Sequence, residues 1–428
     1  MSEIAVLGAG YVGLTTAVCL SSLGHSVVVS DVNHEKIASL NDGKCPIFEE
    51  SLEELLQQCL EESRIRFISN NCDAVKDSDY VFLCLPTPEG ELGEADMQFV
   101  LSVIDEVRTH LRSGAIVITK STVPIGASAD VFKRIGRDDV AYVSNPEFLR
   151  EGTAVQDFLD PDRIVIGSTS DEAASRVGML YSRISAPIVY TDPISAETIK
   201  YASNSFLATK LSFINGLASV CEVVGADADD VLRGMGMDTR IGESYLRPGP
   251  GWGGSCFPKD TKALLMTSDV RGFDFGLLRS VIDANSRHID RISQRLYSML
   301  DKESDDRCIA LLGLAFKAGT DDLRDSPAVE IARRLHRFGI SVRAFDPAIS
   351  DLSRWGLAEE IRVCGSASEA VQGASVVAVL TEWQEFQQID PSSLGQLMKH
   401  KVVFDGRLLL ARRDWESAGF TYVGVGRQ

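Results

Sequence analysis

Residues 4 to 31 constrain the fold more than any other stretch of the chain. Ile4-Ala-Val-Leu7 is a short apolar strand pattern, and Gly8-Ala-Gly-Tyr-Val-Gly13 follows at once. An amphipathic helix then runs to about Leu23, and a second strand pattern, Val27 to Ser30, ends at Asp31. A GxGxxG string alone is weak evidence. Between a strand and a helix, with an acid roughly 20 residues further on, it is a dinucleotide fingerprint. Gly8 permits the tight turn, Gly10 admits a pyrophosphate and Gly13 lets the helix pack close to the strand. The free N–H groups and dipole at the helix start attract phosphate. Asp31 can accept hydrogen bonds from a ribose diol and would repel a 2′-phosphate, so NAD is expected over NADP.

The alternation continues with strand patterns at Ile65–Ile68, Tyr80–Leu85, Ala115–Thr119 and Ala141–Ser144. From Ile194 to Val224 the pattern is helical without a break. A charged linker, Asp301 to Arg307, precedes a recurrence of the opening pattern. Cys308-Ile-Ala-Leu-Leu-Gly-Leu is a strand and glycine turn, Ala328 to Phe338 a helix, and Gly339-Ile-Ser-Val-Arg-Ala-Phe-Asp346 matches Gly24 to Asp31 in length and type. Ser375–Leu380 and Lys401–Phe404 continue it. The fold class expected is α/β: two Rossmann-like doubly wound domains (1–192 and 307–428) joined by a long-helix central domain (193–300).

A chain of 428 residues exceeds one hydrophobic core. Its net charge of −18 repels nucleic acid and anionic membranes, which leaves small molecules and protein as partners. Nine cysteines, none closer than Cys72 and Cys84, exclude a CxxC zinc or redox pair, so no metal site is expected. No signal-peptide pattern opens the chain, and no apolar run is read as approaching the ~18–20 residues of a membrane span. A soluble, cytoplasmic protein is expected.

The chemistry concentrates in Pro248-Gly-Pro-Gly-Trp-Gly-Gly-Ser-Cys-Phe-Pro-Lys-Asp260. Pro258 suits the first positions of a helix, and Lys259 to Met266 reads as that helix. Cys256 then lies at a positive helix end, which favours its thiolate. The glycines give backbone and substrate access to the sulfur, and Asp260 stands one turn away. A turn with a buried structural cysteine is the plain alternative. Lys200 and Asn204 are helical i,i+4 neighbours that could hold an oxyanion, although a lysine in an apolar stripe also snorkels to solvent. Ligands in parallel sheets bind beyond the carboxyl ends of the strands. The loops expected there carry Thr87, Thr122, Glu147 and Glu151. The two glutamates, four apart, could share one face of a short helix, and Glu151 could equally form an ion pair with Arg150. In the second half Phe316, Lys317 and Asp321 to Arg324 stand where phosphates would lie, or form surface ion pairs.

An NAD enzyme that interconverts alcohol and ketone needs no thiol. A cysteine becomes necessary when an aldehyde must be oxidised further, through a thiohemiacetal and a thioester that water cleaves. Oxyanion donors and carboxylates complete such a site.

Gly8–Gly13, Lys120-Ser-Thr-Val-Pro124, Asn145-Pro-Glu-Phe-Leu-Arg-Glu151, Lys200-Tyr-Ala-Ser-Asn204, Gly253–Asp260 and Gly313-Leu-Ala-Phe-Lys317 together resemble the UDP-glucose/GDP-mannose dehydrogenase family. The resemblance runs from the first strand to about Asp405. It implies a four-electron, NAD-dependent oxidation of the C6 alcohol of UDP-glucose, with GDP-mannose as the alternative substrate and a non-catalytic sensor of nucleotide sugar as the remote one. It implies Cys256 as nucleophile, supported by Thr122, Lys200, Asn204 and Asp260, with Glu147 or Glu151 serving hydrolysis. For the cofactor it adds Tyr11, Val12, Lys36, Thr87, Thr122, Glu151 and Arg324 to the glycines and Asp31. For the substrate it implies Phe148, Leu149, Lys200, Asn204, Arg240 (reaching a neighbouring subunit), Tyr245, Leu246, Arg247, Gly253, Phe316 and Lys317. Trp252 and Pro250 depart from the family's commonest loop spelling, where another glycine or a small aromatic is usual. The central helix, apolar on more than one face, implies a homodimer or a higher homo-oligomer.

Overall fold

A computed structural model of the chain describes residues 1–90, 95–300 and 307–427, so the expected linker 301–307 lies outside the described residues except for Arg307. Two compact units emerge: Met1–Ser203 with Lys262–Phe273, and Asn204–Thr261 with Asp274–Gln428.

The first unit is built on eight strands, β1 (Glu3–Leu7), β2 (Ser26–Ser30), β3 (Ile65–Ile68), β4 (Tyr80–Leu83), β5 (Ile116–Thr119), β6 (Ala141–Ser144), β7 (Ile164–Ser168) and β8 (Ile188–Thr191), in the order 3-2-1-4-5-6-7-8. All neighbours run parallel except β6 and β7. A parallel sheet is covered on both faces, which is why runs such as Ile4–Leu7 and Val27–Val29 are apolar throughout rather than alternating. Leu14, Val18 and Phe82 pack on one face, and Val81, Leu83, Ile104 and Val131 on the other. The fourth strand stops at Leu83, two residues earlier than its apolar run predicts, because Pro86 and Pro88 follow and cannot donate to a ladder. The strands β7 and β8 escape the pattern reading altogether.

The second unit repeats the plan with β9 (Cys308–Leu312), β10 (Ser341–Phe345), β11 (Arg362–Val363), β12 (Val376–Val379), β13 (Val402–Asp405) and β14 (Thr421–Gly424). Their order, 11-10-9-12-13-14, is that of the first six strands of the first unit, the doubly wound 3-2-1-4-5-6 arrangement. Leu311, Ile331 and Phe404 centre one apolar layer, and Val377, Val403 and Trp415 the other. Helices Ala228–Gly236 and Gly276–Ser298 belong to this unit.

The helix Pro193–Val224 has 32 residues, about 48 Å at ~1.5 Å per residue, and the boundary between the units falls inside it. By length and apolar content it could cross a membrane, contrary to the expectation that no apolar run approaches that length. Buried Glu197, Lys200 and Asn204 interrupt it.

Candidate functional site

In the first unit the carboxyl ends of β1, β4, β5 and β6 deliver the glycine turn and the loops 84–88, 120–124 and 145–151. The three glycines of the fingerprint do different work. Gly8 adopts φ +99°, and a Cβ there would lie 2.4 Å from the Cys84 carbonyl oxygen. A Cβ on Gly13 would lie 1.9 Å from the Gly8 oxygen, whereas one on Gly10 would meet nothing within 4 Å. Gly8 and Gly13 therefore close the turn, and Gly10 leaves a cradle that a side chain would fill. Helix Tyr11–Ser22 starts there with no side chain capping it, so Tyr11, Val12 and Gly13 present first-turn N–H groups. These features fit a dinucleotide pyrophosphate.

Asp31 follows β2. Its Oδ2 accepts hydrogen bonds from the Ala9 N–H and Lys36 Nζ, each at 2.9 Å, and its Oδ1 from the Asn33 N–H at 2.9 Å. Burial works against the charge, but these donors outweigh it and hold the carboxyl below its usual range. Thr87 donates its hydroxyl to the Thr122 carbonyl at 2.8 Å, which joins two of the loops.

The segment 145–150 is an irregular loop, so Glu147 and Glu151 do not share a helical face. Pro146 disfavours helical geometry at Asn145, and the Glu147 Oε2 accepts from the Leu149 N–H at 2.7 Å, a local bond that competes with a helical turn. The Glu147 Oε1 accepts from Lys200 Nζ at 2.7 Å, with both side chains almost fully buried. Burial raises the Glu147 pKa, yet Lys200, the Leu149 N–H and Lys120 together leave it lowered. Lys200 also stands 5.5 Å above the Phe148 ring, on which the Arg163 guanidinium stacks at 3.6 Å. Leu149 and Glu151 are partly buried on the same loop, and Arg150 pairs with Asp157.

Two groups that the sequence reading left unassigned support this half. Buried Glu197 caps helix Ala127–Ile135 by accepting from the Gly126 and Ser128 N–H groups at 2.6 and 3.0 Å. Its i,i+3 spacing to Lys200 was the available signal. Lys120 donates to Asn145 Oδ1 at 3.1 Å, and burial lowers its pKa to about 8. A cavity of about 10 Å³, close to the lower bound for one water, is lined by Ser121, Thr122, Glu197 and Lys200.

In the second unit Cys256 immediately precedes helix Phe257–Val270, and the Asp260 N–H donates to its carbonyl at 2.9 Å. The thiol is partly buried, 3.6 Å from Ser255 Oγ. Fully buried Asp260 accepts from Asn204 Nδ2 and Lys259 Nζ, both at 2.6 Å. Lys200 and Asn204 thus each engage a carboxylate, where the spacing alone suggested two donors facing one anion.

The glycines before Cys256 serve the chain's own packing more directly than substrate access. A Cβ on Gly253 would lie 1.9 Å from the Asp325 carbonyl oxygen, and one on Gly254 2.8 Å from the Phe316 ring. The Gly254 N–H donates to the Arg324 carbonyl at 3.0 Å. The cysteine loop is therefore set on the loop after β9 that carries Phe316, partly buried Lys317 and exposed Arg324, whose guanidinium pairs with Asp322. Trp252 is buried against Ala208 and Val281 and donates Nε1 to Ser212 Oγ, so its departure from the family pattern is a packing feature. Arg240 is 87% exposed in its side chain and pairs with Asp238. Beyond it Tyr245 holds φ +62°, Leu246 is buried and Arg247 is exposed.

Comparison with known proteins adds the following. The UDP-glucose/GDP-mannose dehydrogenase family matches across the chain: its NAD binding domain over residues 2–185, its central domain over 194–287 and its UDP binding domain over 310–412. The Bacillus subtilis (strain 168) protein named UDP-glucose 6-dehydrogenase TuaD is 38% identical over 432 residues, covering 100% of this chain and 94% of that protein. A UDP-glucose dehydrogenase structure from Pyrobaculum islandicum superposes with a TM-score of 0.90 at 35% identity, covering 100% of this chain and 98% of that one. A GDP-mannose dehydrogenase structure from Pseudomonas aeruginosa covers 99% of each chain at 30% identity with a TM-score of 0.55.

Proposed function

The chain belongs to the UDP-glucose/GDP-mannose dehydrogenase family, and from that premise we propose that it oxidises the C6 alcohol of UDP-glucose to the carboxylate of UDP-glucuronate. The balance is one alcohol, two NAD⁺ and one water giving one carboxylate, two NADH and three protons. NAD, held by the Gly8–Gly13 turn and by Asp31, supplies the hydride acceptor for both oxidations.

In this reading Cys256 adds its thiolate to C6 at the aldehyde level, and the resulting oxyanion takes one further N–H each from Lys200 and Asn204, which keep their carboxylate partners Glu147 and Asp260. After the second oxidation C6 is a thioester carbon. Water attacks it, the C–S bond breaks and Cys256 leaves as thiolate. Asp260, hydrogen-bonded to Asn204, and Thr122 serve this centre, while the loop of Glu147 and Glu151 supplies the carboxylate that takes the water's proton. Phe148, Leu149, Tyr245, Leu246, Arg247, Gly253, Phe316 and Lys317 hold the nucleotide sugar, and Arg240 reaches that of a second subunit. Tyr11, Val12, Lys36, Thr87 and Arg324 attend the cofactor. The labour divides along the chain: residues 1–192 for NAD, 193–300 for the thiol and 307–428 for UDP.

The observation that carries this reading is Cys256 at the start of its helix, with the buried Asn204–Asp260 pair one turn along. UDP-glucose is favoured over GDP-mannose by the relatives' names and by the closer superposition, 0.90 against 0.55. The exposed residues Phe206, Phe213 and Val220, seven apart on the long helix, make an apolar stripe suited to a second copy of the chain. A cytoplasmic location belongs to this reading and is supported by its use of NAD and a nucleotide sugar as substrates.

The test is stoichiometry: two NADH per UDP-glucose consumed, no turnover of GDP-mannose, and loss of steady-state turnover in Cys256→Ser with NAD affinity kept. One NADH with a released aldehyde, or a fully active Cys256→Ser, refutes it.

A further inference from the structure

Glu49 belongs to none of the motifs above. It lies between the helices His34–Asn41 and Leu52–Glu61, partly buried. Its carboxylate gathers donors from two places far apart in the chain. The Tyr11 hydroxyl donates to Oε2, as does the Gly152 N–H at 2.7 Å, and the Ala154 N–H donates to Oε1 at 2.6 Å. The Gly152 N–H also donates to the Tyr11 hydroxyl oxygen at 3.0 Å, which closes the cluster.

Tyr11 is the first residue of the dinucleotide helix, directly after Gly10, the glycine that opens the cradle. Gly152 directly follows Glu151. We propose that Glu49 is a positioning residue for the oxidation, locking the loop of Glu147 and Glu151 to the turn that binds the cofactor. Burial and the adjacent carboxylate push the Tyr11 phenol far above its ordinary range, so it remains a donor at every working pH. A neutral donor on an ionised acceptor is among the stronger hydrogen bonds, and two backbone N–H groups add to it. No local pattern demands a glutamate at this place; the two distant segments do.

The proposal rests on the dehydrogenase reading and assigns its effect to one half of the reaction. The glycine turn is closed by its own backbone, so hydride transfer depends little on Glu49. Hydrolysis of the thioester depends on where the loop carboxylate stands. Glu49→Gln keeps the shape but turns one acceptor oxygen into a donor that faces an N–H or a hydroxyl.

The experiment is rapid-quench kinetics with UDP-glucose and NAD, together with the intact mass of the quenched protein. For Glu49→Gln the pre-steady-state NADH burst stays within about threefold of wild type. Its steady-state rate falls at least tenfold, and a sugar-acyl adduct accumulates on Cys256. Tyr11→Phe, which removes only the hydroxyl, gives the same split at threefold or more, and it decides the matter should Glu49→Gln not fold. Burst and steady state falling together, or neither changing, overturns the role of Glu49. A wild type that forms neither burst nor acid overturns the dehydrogenase reading and this proposal with it.

Discussion

Replacing Lys200 by methionine is the sharpest probe of the buried Lys200–Glu147 pair in the first unit. Lys200 and Glu147 are 3% and 6% exposed and pair at 2.7 Å. Methionine fills a similar volume but leaves a buried carboxylate without its cation, a loss of about 3–5 kcal/mol. At roughly 2–4 °C per kcal/mol for a unit of about 200 residues, the midpoint of that unit's unfolding falls by about 6–20 °C. The loss depends on pH, and its sign follows from Glu147. In the wild type burial pushes that carboxyl up, but Lys200, the Leu149 N–H and Lys120 bring it below its ordinary value. The folded state therefore binds the proton less readily than the unfolded chain. Its stabilisation is complete above the unfolded value of about 4.3 and is lost as pH falls through the lowered folded value. Without Lys200 burial prevails over the remaining donors and the folded pKa rises above the unfolded one. Stability then declines as pH rises from the unfolded value of about 4.3 towards that raised value, so the deficit against wild type widens with rising pH. Far-UV circular dichroism of the wild type, Lys200→Met, and Lys200→Met with Glu147→Gln measures it. Tryptophan fluorescence is a useful companion, because Trp252, Trp355, Trp383 and Trp415 all lie in the second unit. The double variant regains most of the loss, since both charges are gone. A single variant within about 1 kcal/mol of wild type, or a double variant no better than the single, refutes the buried-pair argument.

Asp31→Ala removes the partner of Lys36 and, in the proposed reading, the acceptor for the ribose. NAD affinity falls about tenfold, or ~1.4 kcal/mol, and the bias against NADP shrinks because Lys36 is left to meet a 2′-phosphate. Fluorescence titration with both cofactors checks this, and an unchanged ratio of affinities refutes it. Two glycine-to-alanine changes separate cradle from packing. Gly10→Ala, whose Cβ meets nothing within 4 Å, keeps the wild-type melting midpoint and loses NAD affinity. Gly253→Ala, whose Cβ would lie 1.9 Å from the Asp325 oxygen, loses at least about 1–3 kcal/mol of stability in the second unit. Equal melting midpoints for the two variants refute that division.

What could be read from the chain is what its local geometry determines. The glycine fingerprint is legible because Gly8 and Gly13 answer steric demands within a few residues or from the neighbouring strand, while Gly10 leaves the cradle between them open. Cys256 at a helix start was legible from Pro258, two residues on. The pairing of Lys200 with Glu147 spans 53 residues and leaves no periodic trace, so the spacing of Lys200 and Asn204 suggested a shared anion instead of two separate carboxylates. The loop 145–151 was misread as a possible helix because i,i+4 acids were weighed above Pro146. The demand behind Gly253 comes from Asp325, 72 residues away, which no reading of the cysteine loop alone could supply.

The two sheets share a strand order but differ in how the turn after the first strand is closed, and that difference bears on the division of labour. Asp31 remains partly exposed beside a turn that a helix enters at once. Its counterpart Asp346 is 2% exposed, with Oδ2 taken by the N–H groups of Leu314 and Ala315 and by Trp383 Nε1. A Cβ on Gly313 would lie 2.3 Å from the Thr381 Cβ, and the next helix starts only at Pro327. Among the described residues no glycine cradle opens there, and no carboxylate at that turn is left for the ribose of a second dinucleotide. What the longer loop offers instead is Phe316 and Lys317, with Gly253 and Gly254 of the cysteine loop packed directly upon it. A loop built this way can bind the nucleotide of a substrate and set the position of the thiol with one set of contacts. An alanine at Gly253 should therefore weaken UDP binding and slow chemistry at Cys256 together, which a cysteine merely buried beside a structural turn would not do.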